Sequence, residues 1–101
     1  MANMMKMMKQ AASMQKNIKK MQEELSLKIV EFSSGGGMVT VTTAGDMTVK
    51  SVKIDPAVID PADIEMLEDL VLAAVDGAMT AAKELAKEEM RKITGGMDIP
   101  I

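Results

Sequence analysis

Cysteine, histidine, tyrosine and tryptophan are all missing from the 101 residues, and phenylalanine occurs once. Without cysteine there is no disulfide and no thiol nucleophile. Without histidine the commonest general base is gone, and the usual zinc sites lose their standard ligands. An unstapled, cysteine-free small domain fits the cytoplasm. The longest apolar run falls far short of the roughly 18 residues that a spanning helix requires. Nor does the N-terminus have signal-peptide anatomy, because lysines punctuate its hydrophobic residues instead of preceding them. A soluble, cytoplasmic protein without membrane association is the expectation. The scarcity of aromatic rings also removes the platforms on which single-stranded bases stack.

What remains is 48% hydrophobic and 27% charged, with thirteen methionines. The length fits one small domain, which buries only a modest share of its surface, so a partner subunit is a natural way to complete the core. A core of Met, Val, Ile, Leu and Ala is pliant, with methionine filling irregular gaps. The net charge of −3 hides a division. Residues 1–28 hold six Lys against two Glu, a net of +4; residues 29–101 hold five Lys and one Arg against thirteen acids, a net of −7. A basic arm precedes an acidic body.

The arm has a period. Met4, Met7, Ala11, Met14, Ile18, Met21 and Leu25 alternate spacings of three and four, the apolar seam of a heptad repeat. No Gly or Pro interrupts it. With Met4 at position a, Lys6 and Lys20 fall at c, Lys9 and Lys16 at f, and Lys19 at b, all opposite the seam. A helix of about 25 residues would be roughly 38 Å long, close to one turn of duplex DNA at about 34–36 Å.

The period then changes to two. KIVEFSS (28–34), MVTVTT (38–43) and TVKSVKI (48–54) read as strands, separated by Gly35-Gly36-Gly37 and by a turn around Gly45-Asp46. Short connections make these an antiparallel meander. The first of two Asp-Pro steps turns the chain out of the sheet. The second starts a helix, with Asp60 as N-cap, Pro61 at the first helical position, and Asp63 and Glu65 in the first turn. Gly95-Gly96 ends this helix after Ile93 or Thr94. Its first half, Ile64 to Ala82, is apolar nearly all round and reads as buried; Lys83, Lys87 and Arg91 form a stripe on its second half. Gly77 in its middle costs about 1 kcal/mol against Ala, which points to close packing or a bend.

The fold class is therefore α+β: an N-terminal helix, a three-stranded antiparallel meander and a long C-terminal helix. One domain spans 1–101, divided into a helical arm (1–27), a sheet (28–55), a helix (60–94) and a tail (95–101). One helix cannot cover both sheet faces, and the arm has a seam to hide, so a homodimer is expected.

The run SGGGMVTVTTAGDMTVKSVKIDPAVIDPADIEMLEDLVLAAVDGAM, followed by ITGGM, resembles the YbaB/EbfC family of bacterial nucleoid-associated proteins. The likeness covers essentially the whole chain, with the glycine turn, the KIDP step, the MLEDL helix and the terminal TGGM in register. It implies an intertwined homodimer with projecting helical arms, binding of double-stranded DNA with limited sequence preference, a nucleoid location, and an influence on nucleoid organisation and gene expression. The arms carry the family's DNA contacts. That carries over here to Lys6, Lys9, Lys16, Lys19 and Lys20 on the first helix and Lys83, Lys87, Arg91 and Lys92 on the last. The methionine-rich first arm departs from the family pattern in a way that favours packing between arms.

Each motif also has a plainer reading. Exposed helix faces carry lysine for solubility; a stripe of one sign without intervening acids equally fits phosphate, and the resemblance favours phosphate. The methionine seam fits core. It also fits an adaptor or chaperone-like module gripping varied hydrophobic partners, which salt would not weaken. The triple glycine lacks the Gly-Lys-Ser/Thr of a phosphate loop and leads into a strand, so it is a turn or bulge. Asp55, Asp60, Asp63 and Glu65 could be imagined on magnesium, but capping and dipole roles account for three of them. No catalytic site, metal, cofactor or small-molecule substrate is expected. Nor is any helix-turn-helix, zinc finger or basic zipper evident, so contact with the DNA backbone is expected over base readout.

Overall fold

The structure, a computed structural model, describes residues 2–93. Helix α1 (Ala2–Leu25) leads into strands β1 (Ile29–Ser34), β2 (Val39–Ala44) and β3 (Val49–Ile54). A single 3₁₀ turn (Pro56–Val58) and helix α2 (Ile64–Ile93) follow. The strands form one antiparallel sheet in the order β1-β2-β3, with Phe32 opposite Val41 and Val41 opposite Val52. The expected α+β architecture is the one observed. Between β1 and β2 all three glycines have positive φ (60°, 67° and 98°), a turn that side-chain-bearing residues would strain.

The alternation in β2 sorts its side chains. Val39, Val41 and Thr43 are fully buried, and Val39 and Val41 pack beneath α2. On the opposite face the hydroxyls pair across strands, Ser33 with Thr40 and Thr42 with Ser51. Helix α2 meets the sheet through small residues. Ala74, Ala78 and Ala82 are fully buried, and the Phe32 ring lies so close over Gly77 that a Cβ there would sit 2.3 Å from it. The close packing suggested by Gly77 is real, and its partner is the chain's one aromatic ring.

Three aspartates step the chain from sheet to helix. Asp55 accepts from the Ala57 N–H, Asp60 from that of Ala62 and Asp63 from that of Met66. This corrects the expected start of α2. Asp60 and Pro61 form a separate turn, closed by the Asp63 N–H donating to the Asp60 carbonyl, and Asp63 caps the helix. The Gly95-Gly96 stop and the tail lie outside the described residues.

A second correction concerns burial. The first half of α2 is covered on one side only: Leu72 is 69% exposed, and Ile64 and Met66 are exposed too. The reason is geometric. The helix lies over β1 and β2, so β3 goes uncovered, and Val52 and Ile54 stay exposed on the same sheet face as the buried valines. An apolar groove lined by Ile54, Leu67, Val71, Leu72 and Val75 results. The radius of gyration, 19.3 Å, far exceeds the ~13 Å of a compact domain this size. The buried hydroxyl of Thr43 also lacks a partner, a penalty of about 1–3 kcal/mol on a thin core.

The Phe32–Gly77 contact makes a signed prediction. On helix propensity alone Gly77→Ala gains about 1 kcal/mol, but the new methyl must displace the ring, and overpacking costs about 1–3 kcal/mol. Gly77→Ala should therefore destabilise the protein in urea unfolding at fixed concentration. In a Phe32→Ala background the same change should stabilise it. A stabilising effect in both backgrounds would remove the ring from the account.

Candidate nucleic-acid interface

The last turns of α1 dock and the rest projects. Met21 and Leu25 are buried and Ile18 is half-buried, while Met4, Met7 and Met14 of the same seam are exposed. The Gly45 N–H anchors the docked end by donating to the carbonyls of Leu25 (3.0 Å) and Lys28 (2.9 Å), and the Leu25 carbonyl also accepts from the Lys28 N–H at 3.1 Å. The C-terminal end of α2 runs alongside: Asn17, Lys20, Met21 and Glu24 of α1 line one groove with Glu89, Lys92 and Ile93 of α2. Beyond this junction the N-terminal half of α1 stands alone. The molecule measures 73 × 21 × 16 Å.

The structure places all nine candidate cations, Lys6, Lys9, Lys16, Lys19, Lys20, Lys83, Lys87, Arg91 and Lys92, on exposed positions of the two helices. It also divides them. Along α1, five lysines precede the first acid, Glu23. Lys6 and Lys20 stand about 21 Å apart along the axis at 1.5 Å per residue. On α2 the four cations interleave with Glu84, Glu88 and Glu89. Arg91 lies 3.6 Å from Glu88, and Lys92 lies 3.3 Å from Glu89. The uncompensated positive field belongs to α1.

One long-range ion pair escaped the sequence reading. The ammonium of Lys28, just past α1, donates to Glu89 Oε1 at 2.8 Å. No local pattern announces a pair 61 residues apart; the only hint was that Lys28 closes the basic segment. The hydrogen bonds from Lys28 and then Lys92 hold the Glu89 carboxyl below the ordinary glutamate value of 4.5. Among the described residues, no group of three or more His, Cys, Asp or Glu side chains is placed to hold a metal ion, and no helix is long and apolar enough to cross a membrane.

Fold and surface together define an α+β protein with a cationic helical projection that carries no aromatic ring. Residues 1–97 match the YbaB/EbfC DNA-binding family, and the chain belongs to it. It is similar to a nucleoid-associated protein of Alkaliphilus metalliredigens (52% identity, spanning 97% of this chain and 86% of that one). It is also similar to one of Moorella thermoacetica (50% identity, 99% and 96%). Among solved structures it resembles the crystal structure of the uncharacterized protein HP0035 from Helicobacter pylori, with a TM-score of 0.75 and 25% identity over 84% of this chain and 89% of that one.

The lowered Glu89 value has a pH consequence. The folded state holds this group ionised where the unfolded chain would bind a proton, so stability rises with pH across that range. The contribution is complete above 4.5 and is lost as pH falls through the depressed folded value. Melting curves of wild type and Glu89→Gln should therefore differ at neutral pH and converge in acid. Curves that stay parallel would show that the tie does not carry the linkage.

Proposed function

We propose that the protein binds double-stranded DNA as a homodimer, gripping the phosphate backbone with its helical arms, with limited sequence preference. On this reading it resides on the nucleoid and influences nucleoid organisation and gene expression. The observation that carries the proposal is the α1 lysine face: five ammonium groups before any acid, on a helix whose outer half stands clear of the body. Each lysine that neutralises a phosphate releases condensed cations, a gain that needs no particular base. Membership of a DNA-binding family and the names of the nucleoid-associated relatives support the same reading.

The homodimer rests on uncovered apolar surface. The groove between α2 and β3 and the outer methionines of α1 are more than a small monomer leaves exposed without a partner. A second copy of the chain supplies matching surface by symmetry. The exposed Met4, Met5, Met7 and Met8 also favour a second reading, an arm that grips hydrophobic segments of another protein.

Salt separates the two. Duplex affinity should fall with a log–log slope of about −0.9 for each phosphate contact, whereas hydrophobic gripping would not weaken. Replacing Lys9, Lys16 and Lys20 together with Glu should abolish duplex binding in gel shifts and leave the sedimentation of the dimer unchanged. Binding that survives the triple substitution rejects α1 as the contact surface. For the dimer, Leu72→Asp should halve the mass seen by sedimentation; an unchanged mass would place the interface elsewhere.

A further inference from the structure

The junction of α1 and α2 gathers two cations beyond the lysine face of α1. Lys28 and Lys92 converge on one oxygen of Glu89, at 2.8 and 3.3 Å, and Lys20 lines a groove with Glu89 and Lys92. Glu89 is the enclosed member of the set, its side chain 15% exposed, against 45% for Lys28 and 65% for Lys92. Both ammonium groups thus keep faces open to solvent, and each has three donors.

A purely structural tie would need Lys28 alone, since that bond joins the start of β1 to α2. Lys92 is three residues from Glu89 on the same helix and joins nothing. Its effect is to bring a second ammonium to the same point. Two lysines converging on one anionic oxygen form a seat that a phosphate oxygen fits equally well, because it offers the same charge and lone pairs. Both lysines stay open to solvent, so these pairs are screened and weak, and a polyanion can displace the carboxylate.

We propose that Lys28 and Lys92 form a phosphate seat at the base of the arm, and that Glu89 occupies it as an internal competitor that sets the affinity for DNA. This rests on the reading that the arms hold the duplex backbone. Phosphates lying along α1 reach the junction and displace Glu89. The displacement weakens binding relative to an open seat and makes it less steeply dependent on salt.

Duplex titrations across a salt series, on the full chain, test this. Glu89→Gln should bind several-fold more tightly than wild type at moderate salt. Its log–log slope should be steeper by up to about 1.8, two contacts at about 0.9 each. Glu24→Gln removes the same charge from the same groove but leaves both Glu89 bonds in place, so its slope should stay at the wild-type value. Lys28→Gln should cost more affinity in the Glu89→Gln background than in wild type. Equal slopes for wild type and Glu89→Gln, or equal losses for Lys28→Gln in the two backgrounds, overturn the seat. If Glu89→Gln fails to fold, isotope-labelled wild type decides: duplex should move the Glu89 carboxyl carbon resonance, and a resonance that stays put overturns the proposal. Wild type that binds no duplex sinks the functional reading itself; wild type that binds without these effects sinks only the seat.

Discussion

Ala74, Gly77 and Ala78 bring α2 close onto β1 and β2, with Leu67, Leu70, Val71 and Val75 of the same helix packed around that contact, and the Phe32 ring takes up the space over Gly77. This close approach fixes the course of the helix, and the rest of the molecule follows from it. Thirty residues of helix reach about 45 Å, whereas six-residue strands span about 20 Å. The C-terminal half of α2 must therefore leave the sheet, and there it meets the end of α1. Had bulky side chains lifted α2 from the sheet, Glu89 would not lie beside Lys28, and the base of the arm would lose its tie. The same approach explains the open groove: a helix seated tightly on two strands leaves the third uncovered.

Much of this architecture was legible in the sequence because its signals are local. The uninterrupted seam from Met4 to Leu25, the alternation in MVTVTT and the triple glycine each specify an element within a few residues. The cap of α2 was misplaced by one aspartate because the DPAVIDPAD segment offers three equivalent acceptors. Which one caps the helix depends on which backbone N–H groups the preceding turn has already taken. The burial of α2 was overread for a different reason. Apolar composition all round a helix says that its faces avoid water, but not that one chain supplies the cover. The lysine face of α1 followed from heptad arithmetic. The pairing of Lys28 with Glu89 did not, since long-range contacts leave no periodic trace.

The nine candidate cations are also not equivalent, which a count of charges conceals. Lys83, Lys87, Arg91 and Lys92 share their helix half with Glu84, Glu88 and Glu89, and two of the four cations, Arg91 and Lys92, pair with acids of that half. The five lysines of α1 have no such company before Glu23. An acidic body attached to such an arm steers a polyanion toward the arm, so the net charge of −3 and DNA binding are compatible.

Distance along α1 then grades the lysines further. Lys6 stands about 25 Å from Glu23 along the helix axis, well beyond the ~8 Å over which charges act at physiological salt. At the tip, Lys6 and Lys9 have no acid of α1 within that range. At the base, Lys20 and Lys92 share a groove with Glu24 and Glu89, Lys28 pairs with Glu89, and any outside anion competes with carboxylates already in place. On the proposed function, the tip makes contacts with no internal rival, and the base makes contacts that are only partly gained. Such an arm takes hold of a duplex at its end and closes incompletely at its root. A protein that must grip many sites and leave each of them benefits from that gradient, because the last contacts formed are the cheapest to give up.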